Sequence, residues 1–274
     1  MRSSLKKSKI DITAVIVSYN EANLLDSCLK QLDFCNEIIV FDLQSTDDTQ
    51  EVALKYGAKI IEHEKIPVVE IIHAKLSNYI MSDWILITDP DEILRIELKT
   101  ELLELLSDKE KLKDIGAISV PWRFHFKNKL LKGTRWGGIN YRFYIVHKKR
   151  FTFSNEVHRG RDIINGFESY KIKYSKHNYV EHYWMQSYKQ LLEKHIRYIK
   201  KEGESRYNNG QRTSLKKITS IPFRAFKYSF ISRKGYLDYF TGFFLSLFWA
   251  WYETMSNKSL YDYQRKIKSK NYPD

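Results

Sequence analysis

Cysteine is scarce in this 274-residue chain, with only Cys28 and Cys35 present. Two cysteines cannot build a disulfide framework, so the sequence favours a reducing compartment. Long hydrophobic runs are lacking as well. The apolar segment Tyr239–Tyr252 spans only 14 residues without a charge, whereas a membrane-spanning helix needs about 20. With 43% hydrophobic and 29% charged residues, the composition excludes a wholly disordered chain and a polytopic membrane protein.

The N-terminus lacks the features of a secretory signal. Basic residues in Met1–Lys9 precede the apolar run Ile10–Val17, but Asp11 interrupts that run and no small-residue cleavage site follows it. We therefore expect no targeting segment and a cytoplasmic protein.

Acidic residues are scarce in the second half of the chain. Residues 1–120 hold 14 Lys and Arg against 22 Asp and Glu, a net charge of −8, whereas residues 121–274 hold 32 against 11, a net charge of +21. The basic half is also rich in Trp, Phe and Tyr. This asymmetry predicts that one part of the protein faces a polyanionic surface.

The first 125 residues alternate β-branched runs with amphipathic helical segments, which predicts an α/β fold with a mostly parallel sheet. A basic, aromatic-rich helical C-terminal appendage is expected to follow. The predicted domains are 1–185, with halves 1–125 and 126–185, and 186–274. The predicted strands are Thr13–Val17, Glu37–Phe41, Ala58–Ile61, Trp84–Ile87 and Ala117–Pro121, and the predicted helices include Val69–Met81, Leu98–Leu106 and Ser187–Glu202.

Polar residues follow the first, second and fourth predicted strands. In an open parallel sheet the loops at the carboxyl ends of the strands form the ligand site. Asp89 and Asp91 stand one residue apart in one of these loops, and such a pair can direct two carboxylates at one Mg²⁺ or Mn²⁺. A solvated acidic turn is the alternative. The loops are Ser18-Tyr19-Asn20-Glu21, Asp42 with Ser45-Thr46-Asp47, and Asp89-Pro90-Asp91-Glu92.

Three motifs in this order resemble the family 2 glycosyltransferases of GT-A fold. They are V-I-V-S-Y-N-E-A from Val15, E-I-I-V-F-D-L-Q-S-T-D-D-T from Glu37, and D-W-I-L-I-T-D-P-D-E from Asp83. A fainter likeness, through Val157-His158 and Glu181-His182-Tyr183-Trp184, is to small bacterial enzymes that build lipopolysaccharide core or capsule. The resemblance implies a metal-dependent, inverting transfer of a sugar from a nucleotide-sugar, with uridine the commonest base, to a glycan or lipid-linked acceptor.

The resemblance also implies site residues. Ser18, Asn20, Glu21 and Asp42 would hold the nucleoside, Asp91 would ligate Mn²⁺ or Mg²⁺ directly, and Asp89 would lie nearer the ribose and the metal-bound waters. His73 stands where relatives carry a basic residue near the nucleotide. Simpler interpretations remain open: Asn20 and Glu21 as helix caps, and Asp42 as a turn former. Glu92 would either orient the loop or start the following helix. For Ser45 and Asp48 we expect capping.

The general base that inverting transfer requires has few candidates. We predict Glu156 or Asp162, since acidic residues are rare here, and we predict His158 and His182 as metal-side or phosphate-side residues. For each histidine a structural hydrogen bond is the alternative. Arg142 is a candidate for neutralising the departing diphosphate, or an ordinary surface arginine.

Two other functions are compatible with parts of the sequence. A nucleotidyltransferase would need a glycine-rich phosphate loop, but Ser18–Ala22 contains no glycine. A single-stranded nucleic-acid binder would use the basic, aromatic half, but no recognition module is present, so nucleic acid is not the expected partner. An anionic membrane surface is expected instead, with Tyr239–Tyr252 inserting at the inner face of the cell membrane. Packing of that stretch against protein, including a second copy in a homo-oligomer, stays open.

Overall fold

The computed structural model describes residues 10–66, 69–153 and 161–271. The chain folds as two compact units. The first consists of residues up to Trp122 together with Tyr141–His182, and the second of Arg123–Asn140 together with the chain from Tyr183 onward. The predicted boundary after residue 185 lies close to the break after His182. Residues 123–140, by contrast, cluster with the helical unit, because their aromatic side chains pack there.

The first unit is built on a mixed sheet with the order β3-β2-β1-β4-β8-β6-β12-β5, and β11 lies beside β6. Parallel pairing joins β3, β2, β1 and β4, as the alternating sequence predicts, whereas β8 is antiparallel to β4. The strands of the chain, of which β7 belongs to the second unit, are β1 Ile10–Ser18, β2 Cys35–Asp42, β3 Lys59–Glu62, β4 Trp84–Thr88, β5 Glu92–Leu94, β6 Ile115–Phe126, β7 Lys129–Leu130, β8 Asn140–His147, β9 Phe151–Phe153, β10 Arg161–Ile163, β11 Glu168–Lys171 and β12 Val180–Met185.

Both faces of this sheet are covered, because alternate side chains of each strand point to opposite sides. Ile12, Ala14 and Ile16 of β1 belong to one apolar cluster, and Val15 and Val17 belong to the other. Among its described residues, four helices accompany the sheet: α1 Ala22–Leu29, α2 Thr49–Lys55, α3 Glu70–His73 and α4 Ile96–Ser107.

One local prediction is wrong, and one of the two alternatives for Glu92 is excluded. The helix expected over Val69–Met81 is only α3 and a 3-10 turn, Leu76–Asn78, because the backbone leaves helical geometry at Lys75 (φ −108°, ψ 3°). Glu92 does not start a helix but begins β5, and α4 follows it from Ile96.

The second unit is mainly helical. The side chains of Ser187 and Ser214 cap its first two helices by accepting backbone N–H bonds. Its core is rich in aromatic residues: Phe126, Trp184 and Phe248 pack together with Leu191 and Leu245. The helices are α5 Tyr188–Asn208, α6 Leu215–Lys227 and α7 Tyr239–Asn271, with a π-helical turn at Tyr228–Ser232 and a 3-10 turn at Gly235–Asp238 between α6 and α7. Among the described helices, none combines the length and the apolar character that crossing a membrane requires.

Candidate functional site

The loops after β1 and β2 are tied together by hydrogen bonds from short polar side chains. The Asn20 side-chain oxygen accepts from the backbone N–H of Thr46 at 2.7 Å, and the Ser45 hydroxyl accepts from the backbone N–H of Asn20 at 2.9 Å. Asn20 also adopts a left-handed backbone (φ 54°), which asparagine tolerates better than most residues. Asn20 therefore joins the two loops rather than capping a helix.

The expected caps at Ser45 and Asp48 do not form. Asp48 precedes α2, but its side chain makes no capping hydrogen bond. Asp47 takes that role, since it accepts from the N–H of Thr49 at 3.1 Å and from the N–H of Ala22 at 3.2 Å. Glu21 precedes α1 without a side-chain cap, and its backbone N–H donates to the Thr49 hydroxyl.

Asp42 and Ser18 lie side by side at the carboxyl ends of β2 and β1, where they are register partners. Both are buried. Asp42 Oδ2 accepts from the N–H of Ser45 at 3.2 Å and from the Gln50 amide at 2.7 Å. Among the described residues, Asp42 Oδ1 and Ser18 Oγ have no hydrogen-bond partner. Buried polar atoms in this condition usually have a function or a ligand.

The predicted D-x-D segment forms a tight turn at the end of β4. The N–H of Glu92 donates to the Asp89 carbonyl at 3.0 Å. Glu92 is fully buried, and its Oε2 accepts from the Thr88 hydroxyl at 2.9 Å and from the N–H of Asp89 at 3.2 Å. Thr88 is the register partner of Ile16 in β1, and Asp42 is the register partner of Ser18, two residues further along β1. The turn therefore lies at the same sheet edge as Asp42.

Arg142 of β8 holds this turn from the side. Its Nη1 lies 2.5 Å from Glu92 Oε1 and 3.3 Å from Asp89 Oδ2. Burial raises the pKa of Glu92 to about 7, against the lowering effect of the Arg142 charge. Burial alone would lower the pKa of Arg142, but Glu92 and Asp89 outweigh it and the pKa is raised. Arg142 is thus a buried partner of the acidic turn and not an ordinary surface arginine.

Asp91 meets His182 across the β5–β12 pair. Glu92 and His182 are register partners in this antiparallel ladder, and His182 Nε2 lies 3.1 Å from Asp91 Oδ2. The imidazole stacks on Trp122 at 4.7 Å with an interplanar angle of 4°. Burial would lower the pKa of His182, but the Asp91 carboxylate outweighs it and the pKa is raised.

Trp122 also lines a pocket of about 430 Å³ that contains Arg142. The Arg142 guanidinium lies 4.8 Å from the centre of the Trp122 ring. Sequence reasoning did not identify Trp122 or the Arg142–Glu92 pair, since only the pairing of distant strands brings these residues together. The pocket is lined by Ser119, Trp122, Tyr141, Arg142 and Phe143.

In the part of the chain that the structure describes, no three His, Cys, Asp or Glu side chains form a complete metal cage. The donors at the turn nevertheless fit a divalent cation. Asp91 offers carboxylate oxygen and His182 imidazole nitrogen at the same point, and Asp89 is 39% exposed at its side chain. Mg²⁺ is commonly held by one or two carboxylates, with substrate phosphates and water completing its shell.

The structure shows the surroundings of two further predicted residues, His73 and Asp162. His73 is buried at the end of α3, with its ring 6.0 Å from Phe153. Asp162 is exposed on β10, which pairs with β9. Glu156 and His158 lie outside the described residues, and their roles stay predictions.

Comparisons with known proteins agree on one family. The sequence profile described as "Glycosyl transferase family 2" matches residues 13–240. An uncharacterized glycosyltransferase of Rickettsia felis is 26% identical over 271 residues, which cover 95% of this chain and 92% of that protein. The glycosyltransferase SunS of Bacillus subtilis is 30% identical over 127 residues, covering 45% of this chain and 30% of SunS.

One solved structure resembles most of the chain. The mannosyltransferase PcManGT of Pyrobaculum calidifontis, in complex with GDP-Man and Mn²⁺, superposes with a TM-score of 0.56 at 13% identity, and covers 92% of this chain and 87% of that one. This likeness concerns the fold.

Proposed function

Because the chain belongs to glycosyl transferase family 2, and is therefore a glycosyltransferase of GT-A fold, we propose that it transfers a sugar from a nucleotide-sugar to a glycan or lipid-linked acceptor with the help of Mn²⁺ or Mg²⁺. The observation that carries this proposal is the meeting of Asp91 with His182, beside Asp89, at the sheet edge where Asp42 keeps an unpaired oxygen. The Asp91–His182 pair and the Asp42 oxygen without a hydrogen-bond partner lie at the same sheet edge. This arrangement fits a ligand that carries a nucleobase at one end and a diphosphate at the other.

Each residue has a defined part in the proposed donor site. Asp42 Oδ1 accepts a hydrogen bond from the nucleobase, with Ser18 beside it. Asn20 and Glu21 keep the two nucleoside loops in place, through the Asn20 amide and the backbone N–H of Glu21. A contact of His73 with the nucleotide stays a prediction, since its ring is buried at the end of α3.

The acidic turn is the proposed diphosphate end. Asp91 and His182 would hold the divalent cation directly and Asp89 would act through bound water, and His158 is a further proposed ligand. The cation would stabilise the negative charge of the departing nucleoside diphosphate. Arg142 keeps the turn rigid through Glu92 and Asp89, and its positive charge also favours a nearby diphosphate.

We further propose that the transfer inverts the anomeric centre, with Glu156 or Asp162 as the base that deprotonates the acceptor. Uridine is the proposed base of the donor, and surface polysaccharide or lipopolysaccharide synthesis at the inner face of the cell membrane is the proposed setting. A homo-oligomer is compatible with this proposal but is not required by it.

A thermal-shift screen of nucleoside diphosphates and nucleotide-sugars tests the donor site. A ligand at 100 times its dissociation constant stabilises a protein by about 2.7 kcal/mol. At roughly 2 to 4 °C per kcal/mol, UDP or a UDP-sugar with Mn²⁺ should raise Tm by about 5 °C or more, and by less without Mn²⁺. No shift with any nucleotide would contradict the proposal.

A further inference from the structure

The second unit carries an excess of positive charge. It contains 23 Lys and Arg against 7 Asp and Glu, a net charge of +16. Residues 205–237 hold eight Lys and Arg and no acidic residue. Two of the seven acids, Glu202 and Glu253, are paired with Arg206 of α5. Among the described residues, no ion pair includes a basic residue of α6.

Within this basic region, large apolar side chains are left exposed. Tyr239 is 82% exposed, Phe223 79% and Phe240 72%. By contrast, Leu245 and Phe248 of the same helix α7 are buried in the aromatic core. We call the exposed set the aromatic tip: Phe223, Ile231, Tyr236, Tyr239, Phe240 and Phe243. The sequence predicts that Tyr239–Tyr252 inserts into a membrane. The exposed residues limit this surface to the first turns of α7 and the segment before it.

The aromatic tip rests on a firmly held base. Phe243 packs against Phe226 and Phe230, with ring centres 5.8 and 5.9 Å apart. The Asp238 carboxylate accepts from the backbone N–H groups of Lys132 and Gly133 at 2.8 and 2.7 Å. The exposed rings are therefore presented by an ordered turn.

Basic and apolar side chains share the exposed side of α6. Lys216, Phe223 and Lys227 are exposed, and spacings of seven and four residues place them on one helix face. A face of this composition suits an anionic bilayer, where aromatic rings enter the interfacial region and Lys and Arg remain at the headgroups.

We propose that the aromatic tip and the exposed basic residues of α6 form a docking surface for an anionic lipid bilayer. This inference deepens the proposed function and rests on its lipid-linked acceptor. A symmetric contact between two copies is disfavoured, because it would bring the same basic surfaces together. A nucleic acid is the other polyanion that a basic, aromatic surface can bind, and the oligonucleotide measurement below separates it from a bilayer.

Vesicle sedimentation of the full-length protein tests the surface. Vesicles of phosphatidylcholine alone are compared with vesicles containing 30% phosphatidylglycerol, at low and at high salt. We expect at least tenfold stronger binding to the anionic vesicles, weakened by salt. Absence of binding at low salt, or equal binding to both vesicle types, would overturn the proposal.

Substitutions then locate the surface. The double variant Phe223→Ser with Phe240→Ser should weaken vesicle binding by roughly tenfold per ring. The triple variant Lys216→Gln, Arg224→Gln and Lys227→Gln should weaken vesicle binding by about fivefold per charge. The matched controls are Leu54→Ser with Met81→Ser, and the Gln variant of Lys30, Lys59 and Lys109, all exposed residues of the first unit. Unchanged vesicle binding in both the aromatic-tip variant and the α6 variant would refute the assignment of the docking surface. An equal loss of vesicle binding in the controls would refute it as well.

Two further measurements separate the remaining outcomes. If the tip substitutions abolish self-association or oligonucleotide binding and leave vesicle binding unchanged, the surface serves that other partner and the proposal is wrong.

Hydrolysis of the donor without vesicles should be equal in all variants. Hydrolysis without vesicle binding would overturn only the docking surface, whereas vesicle binding without any donor hydrolysis or nucleotide binding would overturn the proposed function.

Discussion

Replacing Arg142 by Met should destabilise the first unit strongly, because the buried Glu92 carboxyl loses its cation and must either stay charged in an apolar environment or take up a proton. The two groups are 2.5 Å apart, and their side chains are 13% and 0% exposed. Removing one partner of a buried ion pair costs about 3–5 kcal/mol, and the lost contact of the guanidinium with the Trp122 ring adds to it. We expect a loss of about 4 kcal/mol in the free energy of unfolding.

Urea denaturation followed by circular dichroism measures this effect. A double-mutant cycle with Glu92→Gln should show a coupling of about 2 kcal/mol or more, since the double variant buries no unpaired charge. Lys55→Met is the control, because Lys55 and Asp26 form an ion pair of 2.8 Å that is largely exposed and should contribute little. If Arg142→Met were no more destabilising than Lys55→Met, the buried role of this pair would be refuted.

Three further perturbations test the loops and the second unit. Asp42→Asn should raise the dissociation constant of the nucleoside diphosphate about tenfold in calorimetric titration, since an amide replaces the orphaned acceptor; an unchanged value would make Asp42 a turn residue only. Asn20→Ala should lower Tm more than Asn20→Gly does, because φ is 54° at this position; equal values would contradict the strain argument. Gly242→Ala should destabilise the second unit by about 2 kcal/mol or more in urea, because a Cβ there would lie 1.8 Å from the Gly235 carbonyl oxygen, and a neutral result would contradict this close packing.

The strands and the family could be predicted from the sequence because both depend on local patterns. Runs such as Thr13–Val17 and Trp84–Ile87 are short and β-branched, and the structure extends them by only a few residues. The order of the three motifs likewise identified the GT-A fold, which the comparisons confirm.

The interior of the candidate site could not be predicted, because its contacts join residues far apart in sequence. Arg142 is 50 residues from Glu92, and His182 is 91 residues from Asp91. The β4–β8 and β5–β12 pairings that bring them together are antiparallel additions to the predicted parallel sheet. Local spacing also left two roles open for Glu92, since a carboxylate after a turn is equally suited to the first turn of a helix.

The most direct test of the donor site compares Asp91→Asn with Asp83→Asn. Both changes remove one carboxylate charge near β4, but Asp83 is exposed at the opposite end of the strand. In an assay of donor hydrolysis and sugar transfer with Mn²⁺, Asp91→Asn should abolish turnover while circular dichroism shows a folded protein, with a lower Tm because the buried His182 loses its carboxylate partner. Asp83→Asn should behave like the parent protein. Turnover of more than about a tenth of the parent rate in Asp91→Asn, which corresponds to a barrier change under roughly 1.4 kcal/mol, would contradict a metal-binding role for the acidic turn.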